Sequence, residues 1–375
     1  MRYYIIAGEA SGDLHGSNLI RALRRLDPGA VIQGWGGELM AGAGAEIVKN
    51  YRDLAFMGLT DVLLHIHTIL ANFRFCKGDI QTFKPDVLIL IDYPGFNLRM
   101  ANWAHKQGLK VVFYISPQVW AWKENRVDSI KASVDKMLVI LPFEQEFYKK
   151  WAFDVEFVGH PLVEVVRSKL ESSGPVIPGD KPLIALLPGS RKQEVLRKLP
   201  VMLTMVKHFP DYEFIIALAP GLEDQFIENI IRNFGMVRYF KGRTYDILKQ
   251  ASAALVTSGT ATLETALFGV PEVVCYKTSW INYWAARRLI RIKYISLVNL
   301  IMDKPVICEL IQGDLNETRL KMELKAILGD EERKKEMKRD FAALWTKLGD
   351  GHASHLAAET IFLYLKNGES RNEKA

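Results

Sequence analysis

Three short stretches carry residue types suited to chemistry on a phosphate-bearing substrate. Ser258-Gly259-Thr260-Ala261-Thr262-Leu263-Glu264 follows the apolar run 253–256 and leads into a helical pattern. Gly and small hydroxyl residues at a helix start leave room for an anion, and the N-terminal N–H groups and helix dipole favour it. Glu264, one turn further in, is placed to reach a ribose hydroxyl. The same pattern also suits an ordinary capped helix, because Ser and Thr are preferred N-caps. Pro188-Gly189-Ser190-Arg191 is a second strand-to-helix turn of this kind, and Arg191 can fork onto a phosphate. A cation in a helix's first turn opposes the dipole, so its retention there asks for a reason. Two such turns suggest a diphosphate.

Asp92 stands directly after the apolar run 87–91, in Asp92-Tyr93-Pro94-Gly95-Phe96-Asn97. A carboxylate at a strand's carboxyl end can take a proton from an attacking hydroxyl, although Asp before Pro and Gly is also a common turn former. Glu9 and Asp13, on the first loop, are competing carboxylates. No D-x-D occurs, and the eight histidines form no pair with acids at ligand spacing, which argues against a metal-dependent mechanism. No G-x-S-x-G occurs, so Ser11 and Ser190 are poor hydrolase nucleophiles.

Strands must present these turns. Runs at 3–7, 87–91, 111–115 and 137–141 are short, aliphatic and entered from polar segments, as in parallel sheets covered on both faces. The pattern restarts at 183–187, 213–218, 237–240, 253–256 and 272–276. The class is therefore α/β, with two doubly wound halves in series and a cleft expected between them. The expected domains are 1–165, 166–345 and a helical 346–375, with a linker in the Pro-, Gly- and Ser-rich 172–181. Neither Gly8-Glu9-Ala10-Ser11-Gly12 nor Gly34-Trp35-Gly36-Gly37 matches G-x-G-x-x-G, so a dehydrogenase is not expected.

At 375 residues, two domains of ordinary size are the prior. Cys76, Cys275 and Cys308 are odd in number and far apart, which fits core thiols in a reducing compartment. Net charge of +6 is compatible with an anionic partner, yet no Arg/Lys run or nucleic-acid motif is present. With no signal-like N-terminus or membrane-length apolar run, a cytoplasmic protein is expected. Two stretches suit a lipid surface: 57–76, with Leu63, Leu64, Ile66, Phe73 and Phe75, and 280–293, where Trp280 and Trp284 sit among Arg287, Arg288 and Arg291. Burial between domains or in a dimer is the other reading of both.

Taken together, the chain resembles the lipid A disaccharide synthases, membrane-peripheral glycosyltransferases of the two-domain GT-B fold. The resemblance rests on the stretches at 8–13, 92–97, 188–191 and 258–264, on Ser116-Pro117-Gln118-Val119-Trp120-Ala121-Trp122, and on Asn299 with Glu309-Leu310-Ile311-Gln312. It implies an N-terminal acceptor-side and a C-terminal UDP-sugar-side Rossmann-like domain. It implies inverting transfer of 2,3-diacylglucosamine from its UDP conjugate to the 6-hydroxyl of 2,3-diacylglucosamine 1-phosphate, with no cofactor or metal.

Carried over by position, the resemblance makes Asp92 the general base and Arg191 the cation at the UDP diphosphate. Ser190, Ser258, Gly259, Thr260 and Glu264 become the nucleotide loops, Glu9 and Ser11 first-loop site residues, and Asn299, Glu309 and Gln312 polar positions toward the donor. It also implies a homodimer with exchanged C-terminal helices, peripheral on the anionic inner face of the cytoplasmic membrane. Lys123 and Arg126, after the Trp120-Ala121-Trp122 loop, are candidates for the acceptor phosphate. Two departures stand out: Val298 where Pro is expected before Asn299, and Gly95 where some members carry a second Asp. The rivals are another GT-B enzyme using UDP-N-acetylglucosamine, such as a peptidoglycan glycosyltransferase or a 2-epimerase, and a non-catalytic lipid carrier.

Overall fold

The computed structural model describes residues 1–54, 66–235, 237–289 and 292–372. The chain forms two compact units, one of Met1–Pro161 with the C-terminal segment from Gly351, the other of Leu162–Asp350.

The first unit is built on seven parallel strands: β1 (Arg2–Ala7), β2 (Val31–Gly36), β3 (Glu46–Asn50), β4 (Val87–Ile91), β5 (Lys110–Tyr114), β6 (Lys136–Val139) and β7 (Glu156–Phe157). Their order is β3-β2-β1-β4-β5-β6-β7, so chain direction across the sheet reverses between β1 and β4. Alternate side chains of β1 enter opposite cores, as a pleated strand covered on both faces requires. Tyr3, Ile5 and Ala7 pack with Leu19 and Leu23 of the helix Ala10–Leu26. Tyr4 and Ile6 pack on the other side with Phe73, Phe96 and Met100. The C-terminal helix Ala353–Asn372 completes the first of these cores, inserting Ala357, Ala358, Ile361 and Leu365 beside the helix Ala10–Leu26.

The second unit has six parallel strands: β8 (Leu183–Leu187), β9 (Glu213–Leu218), β10 (Arg238–Lys241), β11 (Ala251–Thr257), β12 (Glu272–Tyr276) and β13 (Cys308–Ile311), in the order β10-β9-β8-β11-β12-β13. Here the reversal falls between β8 and β11. In doubly wound sheets, ligands gather at the carboxyl ends of the strands flanking such a reversal. Those ends are Gly8-Glu9 and Asp92 in one unit, and Pro188–Arg191 and Ser258–Gly259 in the other.

Strands β4, β8, β9 and β12 form at their expected bounds, whereas β2, β3 and β13 were not expected. Gly34 explains β2: a Cβ there would lie 1.9 Å from the Ile5 carbonyl oxygen, so glycine is what lets β2 lie beside β1. The expected linker at 172–181 is a correction. That segment is fastened to the second unit, with Ile177 in its core, Ile177 N donating to Gln250 Oε1 at 3.1 Å and Arg243 Nη2 to the Pro175 carbonyl at 3.0 Å. Its Pro, Gly and Ser residues mark an irregular path over a surface instead of a free tether.

Of the stretch 57–76, residues 57–65 lie outside the described residues. The helix Ile66–Phe83 turns Phe73 and Cys76 into the core and leaves Leu70 and Phe75 about half exposed. In the helix Trp280–Leu289, Trp280, Ile281 and Trp284 are exposed. Among the described residues no helix is long and apolar enough to cross a membrane.

Candidate active site

In the first unit the backbone leaves β4 through two consecutive left-handed residues, Asp92 (φ +45°) and Tyr93 (φ +49°), before the helix Pro94–Lys106 begins. Such non-glycine conformations cost on the order of 1–3 kcal/mol each and persist only where the surroundings impose them. Fully buried Asn97 imposes this one, its Nδ2 donating to the Asp92 carbonyl at 2.7 Å and the Ile91 carbonyl at 3.2 Å. The Tyr93 ring lies on Gly8, where a Cβ would come within 2.3 Å of it. Burial first, and the charge of Glu9 second, raise the Asp92 pKa to about 6, against a backbone hydrogen bond at Tyr93 that lowers it. Glu9 and Ser11 are exposed on the loop after β1.

Asp13 is not a second base. It is 2% exposed, and its carboxylate accepts from Gly37 N at 2.7 Å, Met40 N at 3.0 Å and Leu39 N at 3.2 Å, capping the helix Glu38–Gly42.

In the second unit both expected turns open on one cavity of about 440 Å³. Gly189, Ser190 and Arg191 line it from one side and Ser258, Gly259, Thr260 and Glu264 from the other. Gly189 (φ +115°) and Gly259 (φ +139°) take conformations other residues resist, and a Cβ on Gly189 would lie 2.4 Å from Glu194 Oε2. The helices Lys192–Leu203 and Thr260–Leu267 therefore begin at this cavity. The Arg191 side chain is exposed, with Nη1 3.9 Å from Glu194 Oε1. Glu264 Oε1 accepts from Tyr245 Oη at 2.6 Å; burial raises its pKa and the Tyr245 bond opposes that rise.

Asn299, Glu309 and Gln312, expected as polar positions toward the donor, do not line this cavity, and their polar atoms are engaged internally. Glu309 accepts from Ile295 N, Ser296 N, Ser296 Oγ and Asn299 Nδ2 at 2.7–3.0 Å. Asn299 also exchanges hydrogen bonds with the Ile307 backbone at 2.9 and 3.0 Å, and Gln312 does so with the Thr278 backbone at 2.7 and 3.2 Å. Glu309 is joined to the Ser258 turn through Ile295: Ser258 Oγ donates to the Ile295 carbonyl at 2.8 Å, and Ile295 N donates to Glu309.

Sequence reasoning missed Tyr245, Glu194, Thr257 and Lys198. Lys198 is 2% exposed, donates to Thr257 Oγ1 and lies 3.8 Å from Glu194 Oε2. In the sequence, Glu194 and Lys198 read as an ordinary surface pair one helical turn apart.

The family model for LpxB, lipid-A-disaccharide synthetase, matches residues 3–360. The lipid-A-disaccharide synthase of Syntrophus aciditrophicus is 42% identical over 375 residues, covering 97% of this chain and 98% of that protein. That of Geobacter sulfurreducens is 40% identical over 375 residues, with 97% of each covered. Among solved structures, the UDP-GlcNAc 2-epimerase of Neisseria meningitidis bound to UDP-GlcNAc superposes with a TM-score of 0.68 at 12% identity, covering 96% of this chain and 100% of that one. The calicheamicin glycosyltransferase CalG4 superposes with a TM-score of 0.57 at 16% identity, covering 97% and 98%. At those identities the likeness is one of fold alone, the GT-B architecture of two parallel-sheet Rossmann-like domains. Matched over nearly its whole length by the family model and by full-length relatives, the chain belongs to the lipid-A-disaccharide synthetase family.

Proposed function

We propose that the protein transfers 2,3-diacylglucosamine from its UDP conjugate to the 6-hydroxyl of 2,3-diacylglucosamine 1-phosphate, with inversion and release of UDP. The observation that carries the mechanism is the state of Asp92, a partly buried carboxyl at the reversal point of its sheet whose pKa is raised to about 6. That carboxyl is ionised near neutral pH yet basic enough to matter. Asp92 takes the proton of the acceptor hydroxyl as its oxygen bonds to the anomeric carbon. The bond from that carbon to the β-phosphate oxygen breaks, and its electron pair leaves with UDP. Glu9 supports the base by raising its pKa.

UDP sits in the cavity of the second unit, with its diphosphate at Arg191, Ser190 and the two helix starts and its ribose at Glu264. Arg191 and the helix N-termini supply the positive charge that the leaving group needs, so the mechanism calls for no metal. Ser258, Asn299 and Glu309 act by holding the nucleotide loop in shape. Exposed Trp280, Ile281 and Trp284 in the second unit support a lipid-facing patch there, and Leu70 and Phe75 support one in the first, on the cytoplasmic membrane. The dimer belongs to the same reading; exchange of C-terminal helices would replace the contact with the helix Ala10–Leu26 by its equivalent from a partner.

The test is UDP release with matched diacylated donor and acceptor. Release requiring both supports the reading. Release from UDP-N-acetylglucosamine alone would assign the chain an epimerase-like or hydrolytic activity instead.

A further inference from the structure

A second cavity, of about 440 Å³, opens in the first unit beside the Asp92 turn, with Arg99, Asn102, Arg126 and Ser129 among its lining residues. Pro94 and Gly95 form its edge, two and three positions beyond Asp92. Among the described residues its lining contains two guanidinium groups and no carboxylate. Among the described residues, neither arginine has a carboxylate partner within ion-pair distance. Each is steered by a ring: Arg99 over Phe73 at 5.6 Å, and Arg126 over Trp122 at 5.7 Å. Phe73 is itself stacked on Phe96 at 4.3 Å, so the ring beneath Arg99 is fixed. The helix Pro94–Lys106 begins at this cavity with no acidic residue in its first turn, and the space above Gly95 is open, a Cβ there meeting no atom within 4 Å.

Resting on the function proposed above, we propose that this cavity binds the phosphomonoester of the acceptor, with Arg99 and Arg126 as its ligands. Two guanidinium forks and a helix N-terminus match a dianionic phosphate in charge and geometry. The acceptor carries its phosphate on C1, across the ring oxygen from C5, whose exocyclic carbon bears the reacting 6-hydroxyl, so phosphate and hydroxyl lie close together along one edge of the ring. A cavity beginning two residues beyond the base therefore suits a ring with its hydroxyl at Asp92. Lys123, expected to share this role, does not line the cavity; its Nζ lies over the Trp122 ring at 4.1 Å.

The experiment compares diacylglucosamine 1-phosphate with diacylglucosamine lacking the phosphate, in the wild type and in Arg99→Met, Arg126→Met and the double variant. Each single substitution is expected to raise KM for the phosphorylated acceptor by about 10- to 100-fold, the worth of a charge-assisted hydrogen bond, and to leave KM for the donor unchanged. The double variant is expected to treat the two acceptors alike. Equal losses with both acceptors would overturn the proposal, because the arginines would then be structural. So would retained discrimination in the double variant. Co-sedimentation with phosphatidylglycerol vesicles is expected to be unchanged; loss of sedimentation with discrimination intact would assign the arginines to lipid headgroups. Equilibrium binding of glucosamine 1-phosphate, set against inorganic phosphate and followed by tryptophan fluorescence, needs no turnover. Arginine-dependent binding of the sugar phosphate in a wild type that releases no UDP would therefore uphold the site while the transferase reading failed.

Discussion

The Tyr245 phenol donates to Glu264 Oε1 at 2.6 Å, and the Tyr245 ring in turn stacks on Phe268 at 5.4 Å. A tyrosine fixed by packing thus aims the carboxylate assigned to the ribose. Removing the phenol leaves a carboxylate that burial already disfavours without its orienting donor. Tyr245→Phe is expected to raise KM for the donor about tenfold and to leave kcat within about twofold. An unchanged donor KM would mean that Glu264 only braces its own helix.

The raised pKa of Asp92 gives the rate a pH signature. A base must be ionised, so kcat/KM is expected to fall by about tenfold per pH unit below about pH 6. Glu9→Gln removes a negative charge that opposes ionisation, and the acid limb should move to lower pH. A limb that stays in place would remove Glu9 from the site.

Stability should show the same carboxyl with the opposite sense. A folded-state pKa above the unfolded value favours the native state most at low pH, and this contribution is lost as pH rises from about 4 through about 6. Asp92→Asn is therefore expected to melt a few degrees higher than the wild type at pH 7.5, with the advantage gone near pH 4. A lower melting temperature at pH 7.5 would argue that the charged form is solvated in the native protein.

Lys198 is a buried cation beside the cavity of the second unit, joined to Thr257 and near Glu194, both of which line that cavity. Burial lowers its pKa, and Glu194 opposes that effect. Without it, Glu194 is left to draw Arg191 away from a phosphate. Lys198→Met, which keeps the volume, is expected to weaken UDP binding about tenfold and to reduce the thermal shift that UDP produces. Binding at the wild-type level would leave Lys198 a structural role alone.

Gly34→Ala places a Cβ 1.9 Å from the Ile5 carbonyl oxygen, inside the backbone of the central strand pair. Neither strand can retreat without breaking the sheet, so a loss of more than about 3 kcal/mol is expected in urea unfolding. Gly42→Ala, with nothing within 4 Å of the new methyl, is the control and should change stability by about 1 kcal/mol or less.

How far the sequence disclosed this structure follows from which signals are local. The runs 87–91 and 183–187 are wholly apolar because both faces of their strands are covered, and such runs declare themselves. Strand β2 does not, because the closeness of β1 demands glycine at position 34, where a strand pattern calls for a branched side chain. The two phosphate-type turns were legible because the residues that leave room for a ligand stand next to one another. Asn299, Glu309 and Gln312 were legible as polar positions, yet their partners at Ile295, Ser296 and Thr278 are set by tertiary contacts that spacing does not encode. Lys198 and Tyr245 were invisible for the same reason: what distinguishes each is what it faces after folding.

The most direct test of the account is the rate of UDP release by Asp92→Asn with both diacylated substrates, measured beside its UDP binding. The account predicts a loss of about 10²- to 10⁴-fold in rate with UDP affinity preserved. A variant that turns over at the wild-type rate would contradict it.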